Sequence, residues 1–562
     1  MRRRRADQCS PGSRWTPCPG LDLHQQRLSE ILEHAHRGRC AVAGPTIDVA
    51  RIPMDTTLIM SLREALGRET GQSVDLIETH LSWVLLTPTH AYKIKKPVRY
   101  PFVDFSSLPA RRQACEEELR LNRRYGSGIY LDVLAVRGTP QAPSLADEGG
   151  GPVIEHAIRM RRFPQSSLMR HLLMAGNLHG DLLDGLARRL VEVRGAVSAA
   201  PSPAFGQPER IVHDLRDVLT SLRTQGDDAR LAELAVWMGA QEKALRPIWS
   251  VRQHDGSIQE CHGDLHMENI VLIDGGLVPF DGLEFDPGLR WIDVVSDVAF
   301  LTMDLKAHSR SDLAFRFLDA WLQRTGDHAG LQVLRFYEVY RALVRAMTSR
   351  LSGPVAGAAP RPDYLACAAQ WASSAPSDAR MMITHGLSGS GKSTLAARLL
   401  RAAGAVCIRS DVERKRLFGL DPLARSAALG LDIYTEQASD DTFESLLGRA
   451  RTSLQAGYPV IVDAAFLQRD RRFRFRELAA ELGVPFTILD CEANIDTLRQ
   501  RVRARAASGA DASEADVEVL ERQIQSRQPL AAQERACAIT VSMDAAVDVG
   551  WVLSNWISAK HP

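Results

Sequence analysis

The feature that most constrains the fold of this chain is a glycine-rich loop between an apolar run and a helical pattern. The run Arg380–His385 predicts a strand, and Lys392–Ala403 predicts a helix that Gly404 ends. The loop and the start of the helix consist of Gly386, Leu387, Ser388, Gly389, Ser390, Gly391, Lys392, Ser393 and Thr394. This is the Walker A pattern, in which backbone N–H groups at a helix N-terminus surround phosphate oxygens. The loop therefore predicts an α/β P-loop domain with a parallel sheet and a site for ATP.

Polar residues in and after the loop predict the rest of this nucleotide site. Lys392 is expected to reach the β- and γ-phosphates, and Ser393 to bind Mg²⁺. Asp411 follows the next predicted strand and is placed to accept a proton from an acceptor hydroxyl, with a helix cap as the alternative. Arg414, three residues later, is expected to hold an anionic group. Asp463 ends another apolar run and is expected to be a second metal partner.

Two arginines and an arginine-rich segment allow more than one interpretation. Arg501 and Arg505 share one face of a predicted helix, as the arginines of a lid over the nucleotide do; a solvated helix face is the alternative. The segment Arg469–Arg476 alternates arginine with phenylalanine, which is typical of nucleic-acid contacts. The spacing of the apolar residues in Phe475–Leu482 instead predicts the buried stripe of a helix with the arginines on the opposite face, and this interpretation disfavours nucleic acid as a partner.

A second constellation lies upstream, where His262-Gly263-Asp264 is followed by Asn269 and Asp281. Two short apolar runs between Asn269 and Asp281 predict a hairpin that brings these residues back to one loop. Phosphoryl transfer requires a group that orients the acceptor hydroxyl or takes its proton, and metal ions that neutralise the triphosphate. Asp264 is expected to act on the acceptor, while Asn269 and Asp281 hold Mg²⁺. His262 is expected to brace the loop.

The remaining polar residues around this loop receive simpler interpretations. His266 is expected to be a solvated loop histidine, and Asp293 and Asp297 to be structural carboxylates that hold the loop. A strand lysine should contact the ATP phosphates and pair with a glutamate of the following helix. Lys95 with Glu118 is the preferred pair. The alternative, Lys93 with Glu117, remains open.

Length and composition limit the class of protein. The chain has 562 residues, a formal charge of +1 and 45% hydrophobic residues, which indicates several ordinary globular domains. The nine cysteines form no CxxC pair, which favours a reducing cytoplasm over a disulfide framework or zinc site. No apolar run has the roughly 18 residues that a membrane span requires. The pattern predicts an N-terminal extension at 1–53, disordered or not translated, a kinase-like domain at 54–352, a linker or last helix at 353–378 and a P-loop domain at 379–562.

The His-Gly-Asp loop with its Asn and Asp partners resembles the aminoglycoside phosphotransferase and choline kinase group over residues 74–350. This resemblance implies an α+β two-lobed kinase-like fold with ATP in the cleft. The Asp411-x-x-Arg414 element resembles small P-loop kinases such as polynucleotide kinase, zeta toxin and gluconate kinase. The whole arrangement, over about 74–545, resembles the bacterial family described as bifunctional aminoglycoside phosphotransferase-like, ATP-binding proteins, whose P-loop half is labelled AAA-type.

These observations together predict a cytoplasmic phosphotransferase that uses ATP and Mg²⁺ in two domains and acts on a hydroxyl of a small molecule. Two other hypotheses remain. One is a non-catalytic switch that responds to bound ATP, and the other is a nucleic-acid 5′-hydroxyl kinase in the P-loop half. The sequence does not fix the acceptor, the oligomeric state or whether both domains turn over.

Overall fold

The fold was obtained as a computed structural model. It describes residues 56–559 except for the gaps 101–102, 127, 146–150, 196–201, 227, 353–359, 374–377, 427–430 and 509–510. The predicted extension 1–53 and part of the predicted linker therefore lie outside the described residues. The chain divides into two compact units: residues up to Glu116 with Asp132–Met160, and Glu117–Leu131 with the residues from Arg161 onward.

The first unit is built on a six-stranded sheet. Its strands occur in the order β1-β2-β3-β8-β6-β7, with antiparallel pairing of β1 with β2, β2 with β3, and β6 with β7. The strands are β1 Asp75–Glu78, β2 Ser82–Leu86, β3 His90–Lys95, β6 Tyr130–Thr139, β7 Ala142–Leu145 and β8 Val153–Arg161; β4 Arg99–Tyr100 and β5 Val103–Asp104 form a separate pair. These bounds confirm that Lys95 lies on a strand, as predicted.

Helix α1, Thr57–Thr70, covers one face of this sheet because its apolar residues recur at helical spacing. Ile59, Leu62 and Leu66 are buried against Trp83 and Leu85, which point from the sheet into the same cluster. Gly71 ends the helix with φ +65°, the left-handed conformation that favours glycine. Helix α2, Leu108–Arg123, leads from the first unit into the second.

The second unit begins with a helical domain whose long helices surround the kinase-like loop. Its helices are α3 Met169–Met174, α4 Gly180–Gly195, α5 Pro208–Thr224, α6 Ala229–His254, α7 Pro287–Arg290, α8 Val294–Ala307, α9 Ser311–Thr325, α10 Leu331–Ser352 and α11 Tyr364–Ser373. Helix α8 is buried along its whole length except at the last turn, because apolar residues occur on every face. Helices α9 and α10 pack on α8, and α11 packs on α10 and α6.

Four short strands complete this domain. They are β9 Ile258–Glu260, β10 Ile270–Ile273, β11 Gly276–Pro279 and β12 Trp291–Asp293. Strands β10 and β11 form the predicted antiparallel hairpin, with Ile270 opposite Pro279. The turn uses Asp274 at φ +49° and Gly275 at φ +80°, and two consecutive left-handed residues match the twist of a tight hairpin.

The rest of the second unit is an α/β domain with a five-stranded parallel sheet in the order β14-β15-β13-β16-β17. Its strands are β13 Met381–His385, β14 Val406–Arg409, β15 Val460–Asp463, β16 Phe486–Glu492 and β17 Ala538–Ser542. Its helices are α12 Lys392–Ala403, α13 Ser410–Leu417, α14 Glu436–Gln455, α15 Arg469–Glu481, α16 Ile495–Ser508, α17 Val517–Ser526, α18 Ala532–Arg535 and α19 Val549–Ser558. The predicted fold class, an α+β kinase-like domain followed by an α/β P-loop domain, is confirmed.

Helix α15 settles the interpretation of the arginine-rich segment. Phe475, Leu478 and Ala479 are buried, as the helical spacing predicts. Arg472 does not lie on a solvated face: it is 1% exposed and pairs with Glu534 at 2.7 Å. The expectation that the arginines all lie opposite the core was therefore wrong for this residue.

The helical domain and the P-loop domain are in direct contact, because α9 packs on both α12 and β14. None of the helices in the described parts of the chain combines the length and the apolarity that a membrane crossing requires. The predicted boundaries at 352, 353–378 and 379 remain predictions, since the second unit joins these segments into one compact body.

Candidate functional site

The loop that carries Asp264 is held by buried polar groups. The carboxylate of Asp297 accepts the backbone N–H of His262 at 2.6 Å and of Gly263 at 2.9 Å. His262 accepts the N–H of Asp264 at Nδ1, 3.3 Å away, and its Nε2 donates to the carbonyl of Phe280 at 2.9 Å. His262 thus ties the loop to the end of the β10–β11 hairpin. The predicted bracing role of His262 and the structural role of Asp297 agree with these contacts.

The hairpin brings Asn269 and Asp281 to the same end. The N–H of Phe280 donates to the carbonyl of Asn269 at 3.0 Å, so Asp281 follows directly after the residue paired with Asn269. The Nδ2 group of Asn269 donates to Asp264 at both its carbonyl and its Oδ2, each at 3.0 Å. Asp281 has φ +61°, a left-handed conformation that is uncommon outside glycine, asparagine and aspartate. The structure therefore brings Asp264, Asn269 and Asp281 together as the spacing predicted.

The carboxylate of Asp264 has His266 as a neighbour, with the cationic Arg345 behind it. His266 Nε2 is 3.3 Å from its Oδ2, and Arg345 is 3.3 Å from the same nitrogen of His266. Burial alone would raise the pKa of the Asp264 carboxyl, but the contact with His266 and the positive charge of Arg345 outweigh burial and hold this pKa below its usual value. Its side chain is still 32% exposed, so the ionised carboxylate is accessible to an acceptor.

His266 was expected to be solvated, and this expectation was wrong. Its side chain is buried and packs edge-on against Phe300 with ring centroids 5.5 Å apart. Its Nδ1 accepts the N–H of Glu268 at 3.2 Å. Glu268 in turn pairs with Arg345 at 2.8 Å and with Arg170 at 2.8 Å, and these charges lower its pKa to about 2 against the opposing effect of burial. His266 is therefore part of a charged network behind Asp264.

Sequence reasoning missed a second brace on this loop. The carboxylate of Asp304, on α8, accepts the N–H of Met267 at 3.0 Å and the hydroxyl of Tyr364, on α11, at 2.8 Å. Both side chains are buried. A carboxylate in the middle of an otherwise apolar helix is a sequence signal for such a contact, because a buried charge requires hydrogen-bonding partners.

The two predicted phosphate-side partners, Lys95 and Glu118, belong to different units. In the first unit Lys95 is buried, with its amine 5.5 Å from the centre of the Phe105 ring. In the second, Glu118 is fully buried and accepts the hydroxyl of Tyr130 at 3.1 Å. Glu117 is instead bonded to Arg120 at 2.7 Å and to Arg290 at 2.6 Å. These contacts favour Glu118 over Glu117, and the pairing with Lys95 stays a prediction.

The Walker A loop occupies the predicted place between β13 and α12, and its glycines are required by close neighbours. Gly386 has φ +140°, and a Cβ there would lie 2.5 Å from the carbonyl oxygen of Cys491. Gly389 has φ +82°, and a Cβ there would lie 2.9 Å from the carbonyl oxygen of Leu498 on α16. Glycine is therefore needed at both positions for backbone conformation and for space.

Lys392 lies in the centre of this loop. Its amine donates to the carbonyl of Leu387 at 2.8 Å and contacts the hydroxyl of Ser390 at 3.4 Å. Burial lowers the pKa of the amine, while the carboxylates of Asp463 and Asp411 act in the opposite direction. Lys392, Asp463 and Asp411 therefore interact electrostatically across one site. Ser393 and Thr394 follow in the first turn of α12, where Ser393 is partly exposed and Thr394 is exposed.

Asp463 ends β15 at the carboxyl edge of the sheet, as predicted, and is buried. Its neighbour in register on β14 is Arg409, whose Nε is 3.5 Å from Asp463 Oδ2. Arg409 also contacts Asp511 at 3.2 Å. Sequence reasoning missed Arg409, although its position directly after an apolar strand is the same signal that identified Asp463. A guanidinium here is well placed to face phosphate oxygens.

Asp411 and Arg414 have different surroundings. Asp411 is partly exposed in the first turn of α13. Arg414 is buried, donates to the carbonyl of Ile433 at 3.0 Å and lies 5.0 Å from the centre of the Tyr434 ring. The anion-binding role of Arg414 stays a prediction, and its observed contacts hold the segment around Ile433.

Arg501 and Arg505 both lie on α16, the helix that contacts the Walker A loop at Gly389. Arg501 donates to the carbonyl of Met543 at 2.8 Å, and Arg505 to the carbonyl of Ala515 at 2.7 Å. A Cβ on Gly391 would lie 2.7 Å from the methyl group of Met543, so Arg501 is attached to a segment that covers the loop. Both side chains are partly buried and hydrogen-bonded, so neither lies on a fully solvated face, and their role as lid arginines stays a prediction.

The donor sets fit Mg²⁺, a hard cation that prefers oxygen ligands and keeps several waters. In the helical domain, Nδ2 of Asn269 donates to Asp264, so Oδ1 of Asn269 faces away from Asp264. This amide oxygen and the carboxylate of Asp281 are the oxygen ligands that this site offers. In the P-loop domain Ser393 and Asp463 offer a hydroxyl and a carboxylate. A separate cavity of about 470 Å³ lies at the other end of α12, among Arg401, Tyr458 and Trp556, away from both donor sets.

Comparisons with known proteins agree with this arrangement. Residues 381–530 match the family described as AAA domain. The chain is 30% identical over 456 residues to "Uncharacterized protein Rv2004c" of Mycobacterium tuberculosis, covering 78% of this chain and 88% of that protein. The same values apply to "Uncharacterized protein Mb2027c" of Mycobacterium bovis.

Two solved structures illustrate the two halves. A choline/ethanolamine kinase family protein from Mesorhizobium loti is 14% identical, with 56% of this chain and 92% of that chain covered and a TM-score of 0.36. A gluconokinase from Sinorhizobium meliloti is 19% identical, with 32% and 90% covered and a TM-score of 0.24. The chain belongs to the same family as these mycobacterial proteins, and its residues 381–530 match the AAA domain family.

Proposed function

We propose that this protein is an ATP- and Mg²⁺-dependent phosphotransferase with two nucleotide sites, and that it phosphorylates a hydroxyl of a small molecule. The observation that carries the proposal is the assembly at one end of the hairpin: Asn269 is hydrogen-bonded to Asp264, and Asp281 directly follows Phe280, whose backbone is bonded to Asn269 and His262. Asp264 is held ionised by His266 and Arg345, so it can orient an acceptor hydroxyl and receive its proton as the phosphorus–oxygen bond forms.

In this first site Asn269 and Asp281 would hold Mg²⁺, which neutralises phosphate charge when bound. The acceptor hydroxyl donates a hydrogen bond to the Asp264 carboxylate. The γ-phosphoryl group moves from ATP to the acceptor oxygen, ADP leaves, and the acceptor's proton passes to Asp264 and then to solvent. The brace from His262 keeps the loop and the hairpin in fixed relation during this step.

In the second site the Walker A loop and Lys392 would hold the triphosphate, with Ser393 and Asp463 at the metal. Asp411 is the acceptor-side carboxylate, and Arg409 faces the same edge of the sheet. The buried amine of Lys392 has a lowered pKa because of desolvation, so its interaction with phosphate takes place in a site with little competing water.

Transfer from γ-labelled ATP to a panel of small alcohols, with Asp264→Asn and Asp411→Asn variants, tests this function. Loss of a general base lowers the rate by about 10²- to 10⁴-fold. Asp264→Asn should therefore remove one labelled product while binding of a non-hydrolysable ATP analogue stays within about threefold, because the carboxylate acts on the acceptor. Unchanged transfer in both variants would mean that these carboxylates are not the acceptor-side groups. Tight binding of the analogue with no transfer at all would favour a nucleotide-dependent switch.

A further inference from the structure

The helix that carries Asp411 in the P-loop domain is attached to the helical domain. Helix α13 is short, and its residues Val412–Lys415 are all buried, so its position depends on what it packs against. On one side Arg416 donates to the carbonyls of Leu322 at 3.3 Å and Gln323 at 2.6 Å. These carbonyls belong to the last turn of α9 in the helical domain. The Gln323 carbonyl is one of those that a helix C-terminus leaves without a partner in the helix, while the Leu322 carbonyl also accepts the N–H of Gly326 at 2.8 Å.

A second arginine caps the same turn. Arg449, on α14 of the P-loop domain, donates to the carbonyl of Gly326, the residue that ends α9 with φ +68°. Arg416 and Arg449 share one counter-ion: Glu413 on α13 pairs with both, and its side chain is 3% exposed. Cations at a helix C-terminus are stabilised by the partial negative charge there. Glu413 therefore pairs with two arginines whose guanidinium groups both donate to carbonyls at the C-terminal end of α9.

The same helix also contacts the strand before α13. Gln323 donates to the carbonyl of Cys407 on β14 at 3.0 Å and to Asp319, one turn earlier on α9, at 3.1 Å. Two residues after Cys407, β14 ends at Arg409, and α13 begins at Ser410. The last turn of α9 is therefore bonded to both elements that flank Asp411.

We propose that the C-terminal turn of α9 positions α13, and through it Asp411, for phosphoryl transfer in the P-loop domain, with Glu413, Arg416 and Arg449 as positioning residues. The inference rests on the proposed role of Asp411. It adds that the helical domain completes the acceptor side of the site in the P-loop domain. Turnover in the P-loop domain therefore depends on the helical domain. The Walker A loop itself is held by other contacts, such as the bond from Ser388 N–H to Gln523 at 2.8 Å.

The sharpest test adds one methyl group to the helical domain. A Cβ on Gly326 would lie 2.7 Å from Nε of Arg416, so Gly326→Ala must displace that arginine. Gly71→Ala is the matched control: Gly71 also ends a helix, at φ +65°, but its Cβ would have no atom within 4 Å. Both variants carry the backbone strain of a left-handed alanine, and only one disturbs α13.

The assay uses Asp264→Asn protein, in which the first centre is silenced, and measures hydrolysis of γ-labelled ATP with water as acceptor. A displacement of about 1 Å costs about 10²-fold in rate. Gly326→Ala and Arg416→Ala should lower Lys392-dependent hydrolysis by about 10- to 100-fold, with affinity for a non-hydrolysable ATP analogue within about threefold. Arg416→Lys should restore part of the rate, since it keeps the charge but not the two-pronged geometry.

Gly71→Ala and Arg451→Ala should have normal rates; Arg451 lies on the same helix as Arg449, and its ion pair among the described residues is with the exposed Glu481. Equal rates in Gly326→Ala and Gly71→Ala would overturn the inference. If Asp264→Asn protein shows no Lys392-dependent hydrolysis, the proposed function of the P-loop domain fails. In that case hydrogen exchange tests separately whether Arg416 holds α13 in place. The amides of α13 should exchange at least about tenfold faster in Arg416→Ala, while those of α12 should not change. Unchanged exchange of the α13 amides would contradict the positioning role.

Discussion

The substitution Tyr364→Phe tests whether α11 controls the catalytic loop of the helical domain. Tyr364 donates to one oxygen of Asp304 at 2.8 Å, and the other oxygen of Asp304 accepts the N–H of Met267 at 3.0 Å. Met267 lies between Asp264 and Asn269, so the contact joins α11 to the centre of the loop. Removing one hydroxyl leaves the shape of the ring unchanged.

The size of the effect follows from burial and charge. Tyr364 is 3% and Asp304 1% exposed, so water does not readily replace the lost donor. A hydrogen bond to a charged group contributes about 1.5–3 kcal/mol. We therefore expect Tyr364→Phe to lower the free energy of unfolding by about 2 kcal/mol. We also expect a several-fold loss of Asp264-dependent transfer, because Asp304 then holds Met267 less firmly.

Denaturant unfolding and transfer from γ-labelled ATP measure the two effects. Tyr340→Phe is the control: Tyr340 lies on α10, and its hydroxyl makes no hydrogen bond to the residues that the structure describes. It should change stability by less than about 0.5 kcal/mol. If Tyr364→Phe is as stable and as active as the unmodified protein, the contact from Tyr364 through Asp304 to Met267 does not support the catalytic loop, and this prediction is wrong.

Two further predictions concern pH at the contact between the domains. His328 is buried 3.2 Å from Ser453, and burial, with Arg449 and Arg416 nearby, lowers its pKa to about 3. The stability that comes from burying His328 in its neutral form is fully present above the pKa of about 6.5 that this residue has in the unfolded chain. It is lost as the pH falls toward 3, so the free energy of unfolding should drop by about 2 kcal/mol by pH 5. His328→Gln should lose this acid slope in thermal unfolding; an unchanged slope would refute the assignment. Asp319 behaves in the opposite sense: burial raises its pKa to about 6, so the ionised form destabilises the fold above that pH. Asp319→Asn should stabilise the protein at pH 8 by up to about 3 kcal/mol and give no gain below pH 4, and equal stability at pH 8 would contradict it.

Much of the fold was predictable where the signal is local. The Walker A residues are consecutive, and their strand and helix flanks carry ordinary apolar patterns, so Lys392 was placed correctly. The hairpin was predictable because Asp274 and Gly275 tolerate the left-handed turn that joins its strands. This turn fixes the distance in sequence between Asn269 and Asp281.

The contacts that position these residues were not predictable, because they join distant parts of the chain. His266 looks like any loop histidine until α8 and α10 bring Phe300 and Arg345 against it. Glu413 and Arg416 look like the solvated residues of a charged helix, yet Glu413 is buried and Arg416 caps a helix of another domain. No periodic pattern encodes such a pairing, since its partners are set by how the helices pack.

The central claim is that Asp264 and Lys392 belong to two separate ATP sites. Titration calorimetry with a non-hydrolysable ATP analogue and Mg²⁺ tests it most directly. We predict two equivalents bound by the unmodified protein, one by Lys392→Ala and two by Asp264→Asn. A single equivalent for the unmodified protein, or an unchanged stoichiometry in Lys392→Ala, would contradict the claim.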